Sequence, residues 1–178
     1  MVDIMDIKIV RVGFLEENCY ILKKDNNILV IDPGDEYHKI KECIDGNVVG
    51  VLITHHHFDH VGALSSLLND YSIGMYDYSN LKEGINSISN FGFEMIKTPG
   101  HKEDAVSYYF KDDNCMFVGD FIFRNGIGRT DLDGGNVYDM KNSIVKIRKY
   151  NKNIILYPGH GESTTLQFEI DNNEYFGG

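Results

Sequence analysis

Asn47-Val48-Val49-Gly50-Val51-Leu52-Ile53-Thr54-His55-His56-His57-Phe58-Asp59-His60 passes from apolar residues to metal-ligating ones within a single step. Asn47 to Ile53 is a short continuous apolar run, the mark of a strand covered on both faces. Thr54 opens a polar loop, and His55, His57, Asp59 and His60 follow at once. In an extended segment residues i and i+2 project to the same side. His55 and His57 can therefore converge on one ion, while His56 points elsewhere. Asp59 and His60 fall where the chain turns into a helix and can aim at a second ion nearby. Imidazole and carboxylate with no thiolate suit Zn²⁺, Fe or Mn²⁺. A surface histidine tract or a tag would lack both the internal position behind a core strand and the Asp.

Three further loops share this grammar, a strand followed by a glycine-marked turn that carries a ligand-type residue. They are Thr98-Pro99-Gly100-His101, Val118-Gly119-Asp120 and Tyr157-Pro158-Gly159-His160. Each alone means little, since a lone His or Gly-Asp is more often structural. Together with the histidine run they supply the set of side chains that a metal pair needs from distant loops. His38 is left over and reads as a solvated helix residue.

Outward from these loops, Met5–Val12, Cys19–Lys23 and Asn27–Ile31 are rich in Ile and Val and read as strands. A hairpin turn lies at Lys24–Asn27, and Asp32-Pro33-Gly34 ends the third strand. A weak helix is predicted over Glu36–Ile44 and another over Val61–Leu68, with Val61, Leu64, Leu67 and Leu68 on one stripe. In the second half Ile73–Tyr76, Phe91–Ile96, Ala105–Phe110, Cys115–Val118 and Asn153–Tyr157 read as strands. Asn136–Tyr150 is the best amphipathic helix, with Val137, Met140, Ile144, Val145 and Ile147 as its apolar set. A polar helix or tail follows from Ser163. No linker or low-complexity segment interrupts residues 1–178, so one domain is expected. Strands followed by helices in both halves suggest two packed sheets with helices outside.

Composition narrows the function classes. The chain has 178 residues, 42% hydrophobic and 25% charged, ordinary for a globular protein. Its formal net charge is −10, and the lysines are scattered or paired with acids. No basic face is visible for nucleic acid or an anionic membrane surface, so neither is expected as a partner. Three cysteines, Cys19, Cys43 and Cys115, give no disulfide framework and suit a reducing compartment. The N-terminal stretch MVDIMDIKIV carries acids and no long apolar segment, so it does not read as a signal peptide. The expected location is cytoplasmic, and the expected partner a small-molecule substrate, for a monomer or homodimer.

The four ligand loops, with Glu17-Asn18-Cys19-Tyr20-Ile21-Leu22 and Ile31-Asp32-Pro33-Gly34, resemble the metallo-β-lactamase superfamily. Gly126-Ile127-Gly128-Arg129-Thr130-Asp131 and Gly134-Gly135 resemble a segment of its glyoxalase II-like and persulfide dioxygenase members. The resemblance covers nearly the whole chain and points to the short, single-domain glyoxalase II-like hydrolases. It implies an α+β fold, a four-layer αβ/βα sandwich with its site at one edge between the sheets. By matching positions, His55, His57 and His101 would bind a first metal, Asp59, His60 and His160 a second, and Asp120 would bridge both. The implied cofactor is two divalent metal ions, Zn first, with Fe or Mn as alternatives.

The implied activity is hydrolysis of a thioester or related ester by a metal-bound hydroxide, of the hydroxyacylglutathione hydrolase type. Asp59 is the expected catalytic group, orienting the nucleophile or accepting its proton. Two departures stand out. The stretch after His160 is too short for the C-terminal helical region of glyoxalase II proper, and Lys102-Glu103-Asp104-Ala105 follows His101 where relatives carry Thr and a small-residue turn. Lys102 reads as a solvated lysine, with a place at the site mouth as its other reading. Arg129 and Asp131 read as a buried ion pair holding their loop, although Arg129 could also meet a substrate carboxylate. A mononuclear iron persulfide dioxygenase is the rival enzyme, and a non-catalytic metal- or partner-binding domain the rival of another class.

Overall fold

The computed structural model describes residues 5–177, so part of the N-terminal stretch MVDIMDIKIV lies outside the described residues. The first half builds β1 (Asp6–Val12), β2 (Glu17–Lys24), β3 (Asn27–Ile31), α1 (Tyr37–Lys41), β4 (Asn47–Leu52), α2 (Phe58–Val61), α3 (Leu64–Tyr71) and β5 (Met75–Tyr76). The second half builds β6 (Gly84–Ile88), β7 (Phe91–Lys97), β8 (Val106–Phe110), β9 (Cys115–Gly119), β10 (Ile122–Phe123) and β11 (Gly126–Ile127). It ends with α4 (Val137–Ile147), β12 (Ile155–Pro158), β13 (Thr164–Thr165), α5 (Leu166–Asn172) and a 3₁₀ turn at Glu174–Phe176.

The strands form a sheet ordered β1-β2-β3-β4-β5, a sheet ordered β13-β12-β9-β8-β7-β6, and the small β10-β11 hairpin. The first sheet is mixed, with β3-β4 and β4-β5 parallel and the rest antiparallel. The second is antiparallel apart from β12 beside β9.

Alternation along the strands makes the layers. In β2, Tyr20 and Leu22 turn inward to meet Phe110 and Phe117 of the other sheet, while Cys19 and Ile21 turn outward. The outward set of the first sheet packs with Ile40 of α1 and Leu67 of α3. The outward set of the second, including Ile96, Met116 and Leu156, packs with Met140, Ile144 and Ile147 of α4 and Leu166 of α5. Each such buried side chain contributes about 1.5–3 kcal/mol relative to exposure. The result is two packed mixed sheets with helices outside, the expected four-layer α+β sandwich.

Local differences from the sequence reading have local causes. The stripe over Val61–Leu68 is split between α2 and α3, because the Asp32-Pro33-Gly34 turn packs into the gap. There the Ala63 amide donates to Pro33 O at 3.0 Å instead of continuing a helix. The Asn136 side chain caps α4 by accepting from the Tyr138 and Asp139 amides, and the helix stops at Ile147. Val137 and Val145, placed in its apolar set, are exposed at 46% and 57%. The helix over Glu36–Ile44 shrinks to α1 behind a left-handed Glu36. The edge strand β6, with alternating exposed residues and a polar GINSI sequence, carried no strand signal. No helix among the described residues is long and apolar enough to cross a membrane.

Candidate metal centre

The four ligand loops all leave the C-terminal ends of strands: β4 in the first sheet, and β7, β9 and β12 in the second. They meet at one rim of the sandwich, where strand ends and loops of the two sheets come into contact. Three backbone contacts fix that meeting: Val106 N to Thr54 O at 2.9 Å, Asn18 N to Gly159 O at 2.7 Å, and Gly159 N to Gly119 O at 2.8 Å. Tyr108, fully buried, reaches across from β8 and donates its hydroxyl to Ile53 O at 2.6 Å, just ahead of the histidine run. Glycine is required where backbones crowd. A Cβ on Gly34 would stand 1.8 Å from the Asp59 carbonyl oxygen, and one on Gly159 would stand 2.3 Å from Asp120 Oδ1.

All seven predicted donors come together. His55 Nε2 lies 3.1 Å from His57 Nδ1, and His101 Nε2 lies 2.9 Å from the same atom. A tetrahedral ion with Zn–N bonds of about 2.0–2.1 Å would set neighbouring nitrogens about 3.3 Å apart. Beside this trio, His160 Nε2 lies 3.1 Å and His60 Nε2 3.8 Å from Asp59 Oδ2. Asp120 stands between the groups. Its Oδ1 is 3.3 Å from His60 Nε2, and its Oδ2 is 3.6 Å from both His101 and His160. Asp120 is thus within reach of donors from both groups.

Whether cations fit is decided by the protons. His101 Nδ1 donates to Arg129 O at 2.8 Å, His160 Nδ1 to Leu15 O at 3.0 Å, and His60 Nδ1 to Asp32 Oδ2 at 3.0 Å. Thr54 Oγ1 gives its own proton to Asp32 Oδ2 at 2.6 Å and so accepts from His55 Nδ1 at 3.1 Å. A neutral imidazole has one N–H, so these outer partners turn four Nε2 lone pairs inward, toward two carboxylates. Lone pairs and carboxylates converging in a buried space repel unless positive charge lies between them. His60 Nε2 and Asp120 Oδ1 are buried with no hydrogen-bond partner, consistent with an ion as the missing one. Burial, then the neighbouring His60, His101 and His57, push His55 well below the usual histidine range, which keeps its lone pair free. The donor clusters suit divalent metal ions.

An outer layer escaped the sequence reading. Asp32, read only as a strand terminator, adopts a left-handed φ of 50° and accepts from Thr54 N, Thr54 Oγ1 and His60 Nδ1. Strained backbone of this kind persists where several bonds over-determine it. Glu17, read only as part of an opening strand, is 1% exposed with its carboxylate 3.7 Å from His60 Nδ1. Burial pushes its carboxyl well above the usual range, so an ionised group there needs positive charge nearby.

His56 does point elsewhere: its ring lies between Asp104 Oδ2 at 2.7 Å and Asp77 Oδ2 at 3.2 Å, tying the histidine run to the His101 loop. His38 is exposed on α1, as predicted. Arg129 and Asp131 form the expected ion pair, with two bonds of 2.9 Å, yet each side chain is 68% exposed. Solvent screens such a pair. Their loop is held instead by backbone bonds, among them Gly128 N to Phe121 O at 3.3 Å and Asn136 N to Gly100 O at 2.8 Å. Lys102 is half-buried and close enough to lower the His55 and His57 values by its charge.

A cavity of about 530 Å³ opens over the donors, walled by Leu15, Phe58, Phe123, Arg129 and Leu132. A second, of about 570 Å³, shares Leu15, Phe58 and Asp59 with it and runs under Phe14 of the β1–β2 turn.

Comparison with known proteins agrees with this geometry. The family model described as the metallo-beta-lactamase superfamily matches residues 12–76 and 77–160. The chain is 33% identical to the probable metallo-hydrolase YqgX of Bacillus subtilis (94% of this chain, 95% of that one). It is 28% identical to the hydroxyacylglutathione hydrolase GloC of Haemophilus influenzae (96% and 98%). Among solved structures it is similar to the BLEG-1 B3 metallo-beta-lactamase, with TM-score 0.92 and 29% identity over 97% of this chain and 100% of that one. It is also similar to TTHA1623 in a di-iron-bound form, with TM-score 0.85 and 27% identity over 94% and 99%. Two sheets with helices outside, clustered His and Asp donors at one rim of the sandwich and a family match across both halves lead to one assignment: the chain belongs to the metallo-beta-lactamase superfamily.

Proposed function

We propose that this protein is a two-metal hydrolase of thioesters or related esters, of the hydroxyacylglutathione hydrolase type. The observation that carries the reading is the arrangement of Asp120, whose two oxygens face the His55–His57–His101 trio and the Asp59–His60–His160 group at once. In this reading the trio holds the first ion, the second group holds the other, and Asp120 bridges them. Zinc is the first choice for such donors, iron or manganese the alternatives. Two bound divalent ions would acidify a water and polarise a carbonyl at neutral pH.

The chain's own residues do the rest. Burial pushes the Asp59 carboxyl up, but the close His160 and His60 rings outweigh it and hold it below the usual range. An ionised Oδ2 at the cavity floor can orient a water or take its proton. Leu15, Phe58, Phe123 and Leu132 give the cavity over the donors an apolar rim for an acyl group. A thioester suits this site because a thiolate leaves without a strong acid. The names of GloC and further hydroxyacylglutathione hydrolases at about 30% identity support the substrate class.

The test is turnover of a panel of thioesters, lactones and persulfides, S-D-lactoylglutathione among them, with and without chelator. Thioester hydrolysis that chelator abolishes and metal restores is the expected result. Activity that survives both full metal removal and Asp120→Ala would overturn the proposal. One iron per chain with oxygen uptake on a persulfide would favour a persulfide dioxygenase instead.

A further inference from the structure

The two donor groups differ in what stands behind them. Behind the His55–His57–His101 trio the outer partners are neutral: the Thr54 hydroxyl and the Arg129 carbonyl. Lys102 adds positive charge on that side. Behind the second group, on the far side of the His60 ring, stand two carboxylates. Asp32 is saturated, accepting from Thr54 N, Thr54 Oγ1 and His60 Nδ1. Glu17 is not. Both of its oxygens are buried with no hydrogen-bond partner, and Oε1 lies 3.7 Å from His60 Nδ1. The same residue is bridged through its backbone to His160. One residue of β2 thus touches two of the three donors of the second group.

A buried carboxylate without partners is costly to fold. Among the described residues no donor lies within hydrogen-bond distance of it. Gly34, whose missing Cβ would stand 2.5 Å from Glu17 Oε2, leaves the carboxylate room but no donor. What lies beyond the imidazole is the place proposed for the second ion. We infer that Glu17 is a positioning residue that acts through His60 to retain the second metal ion, so that this chain works with two ions rather than one. This inference rests on the two-metal reading above. Asp32 fixes the tautomer and direction of the ring. Glu17 supplies negative charge that a cation on the opposite face of the same ring balances. The first site has no such support, so the effect falls on one ion only.

The experiment compares the wild type with Glu17→Gln, of the same shape, and Glu17→Met, of similar length and apolar. Zn²⁺ is titrated against a chromophoric chelator, the two sites are followed separately in the Co²⁺-substituted protein by visible absorption, and the metal-free proteins are melted. Outer partners of metal ligands are worth about 10–100-fold in affinity, so in both variants the second ion should bind about 10–100-fold more weakly and the first ion unchanged. The metal-free Glu17→Gln protein should melt within about 2 °C of the wild type, because burial favours an uncharged carboxyl there and an amide of the same shape replaces it. Glu17→Asp should hold the second ion better than Glu17→Gln. A residue that only props the fold would lower the metal-free melts and weaken both sites alike. Unchanged affinity for the second ion in the two neutral variants, or equal loss at both sites, overturns the role of Glu17 while the two-metal reading stands. A wild type that takes up no second ion overturns that reading itself. If Glu17→Gln does not fold, Glu17→Met carries the same prediction.

Discussion

His60 Nε2 and Asp120 Oδ1 lie 3.3 Å apart, both buried, and neither has a hydrogen-bond partner. On the other face of the ring, His60 Nδ1 is committed to Asp32 at 3.0 Å. The inward pair of atoms is what a bridged metal centre requires. Replacing Asp120 with Asn keeps the volume but removes the charge and one acceptor oxygen. Elemental analysis should then find fewer than two ions per chain. The kcat/KM for a responsive thioester should fall by more than about 100-fold, the upper end of the loss seen for mere outer partners. Two tightly held ions and full activity in Asp120→Asn would remove the bridge from the account.

Gly34 and Gly92 make a matched pair for stability. A Cβ at Gly34 would collide with the Asp59 carbonyl oxygen at 1.8 Å, whereas one at Gly92 would meet nothing within 4 Å. Gly34→Ala should cost at least about 1–3 kcal/mol, the usual penalty of overpacking, and should loosen the start of α2 where Asp59 and His60 sit. Gly92→Ala, in an exposed position of β7, should melt with the wild type or slightly above it. Denaturant melts of the two variants side by side check this, and equal stabilities would contradict the close approach.

The thiols should separate by burial. Cys19 and Cys115 are buried, and burial pushes the Cys115 thiol up to about 12 and the Cys19 thiol well above its usual range. The thiolate is the reactive form. At pH 8 a thiol reagent should label Cys43, which is partly exposed, within minutes, and the other two only on unfolding. Labelling of all three at one rate in the native protein would contradict the packing of β2 and β9.

Phe58 stands 77% exposed between the two cavities, next to Asp59 and within reach of Leu15. An exposed aromatic at a cleft is placed to bury itself against a ligand. Phe58→Ala should raise KM roughly tenfold for a thioester with a bulky apolar acyl group, the loss of one aromatic contact. For a small acyl group KM should change little, and kcat should hold for both. Steady-state kinetics on a paired series reads this directly, and a fall in kcat with KM unmoved would place Phe58 in the chemistry instead.

The seven candidate donors stood out in the sequence because His and Asp behind Pro-Gly or Gly turns are chemically distinctive, and all seven lie together in the fold. The main strands were legible as Ile- and Val-rich runs. Glu17 and Asp32 were not legible as site residues, because their importance comes from burial beside His60, a contact between β2, the β3 end and α2 that no local pattern encodes. The interruption at Gly62 and Ala63 was hidden for the same reason, since the cause is the Pro33–Gly34 turn packed from elsewhere in the chain. The Arg129–Asp131 pair was read correctly as a pair but misplaced as buried, because spacing predicts contact and says nothing about solvent.

Crystals of the metal-loaded protein, with anomalous diffraction recorded at the absorption edge of the bound element, test the central claim most directly. Two peaks about 3.5–4 Å apart are predicted, one within bonding distance of His55, His57 and His101, the other of Asp59, His60 and His160, with Asp120 touching both. A single peak at the trio under saturating metal, or peaks away from these residues, would contradict it.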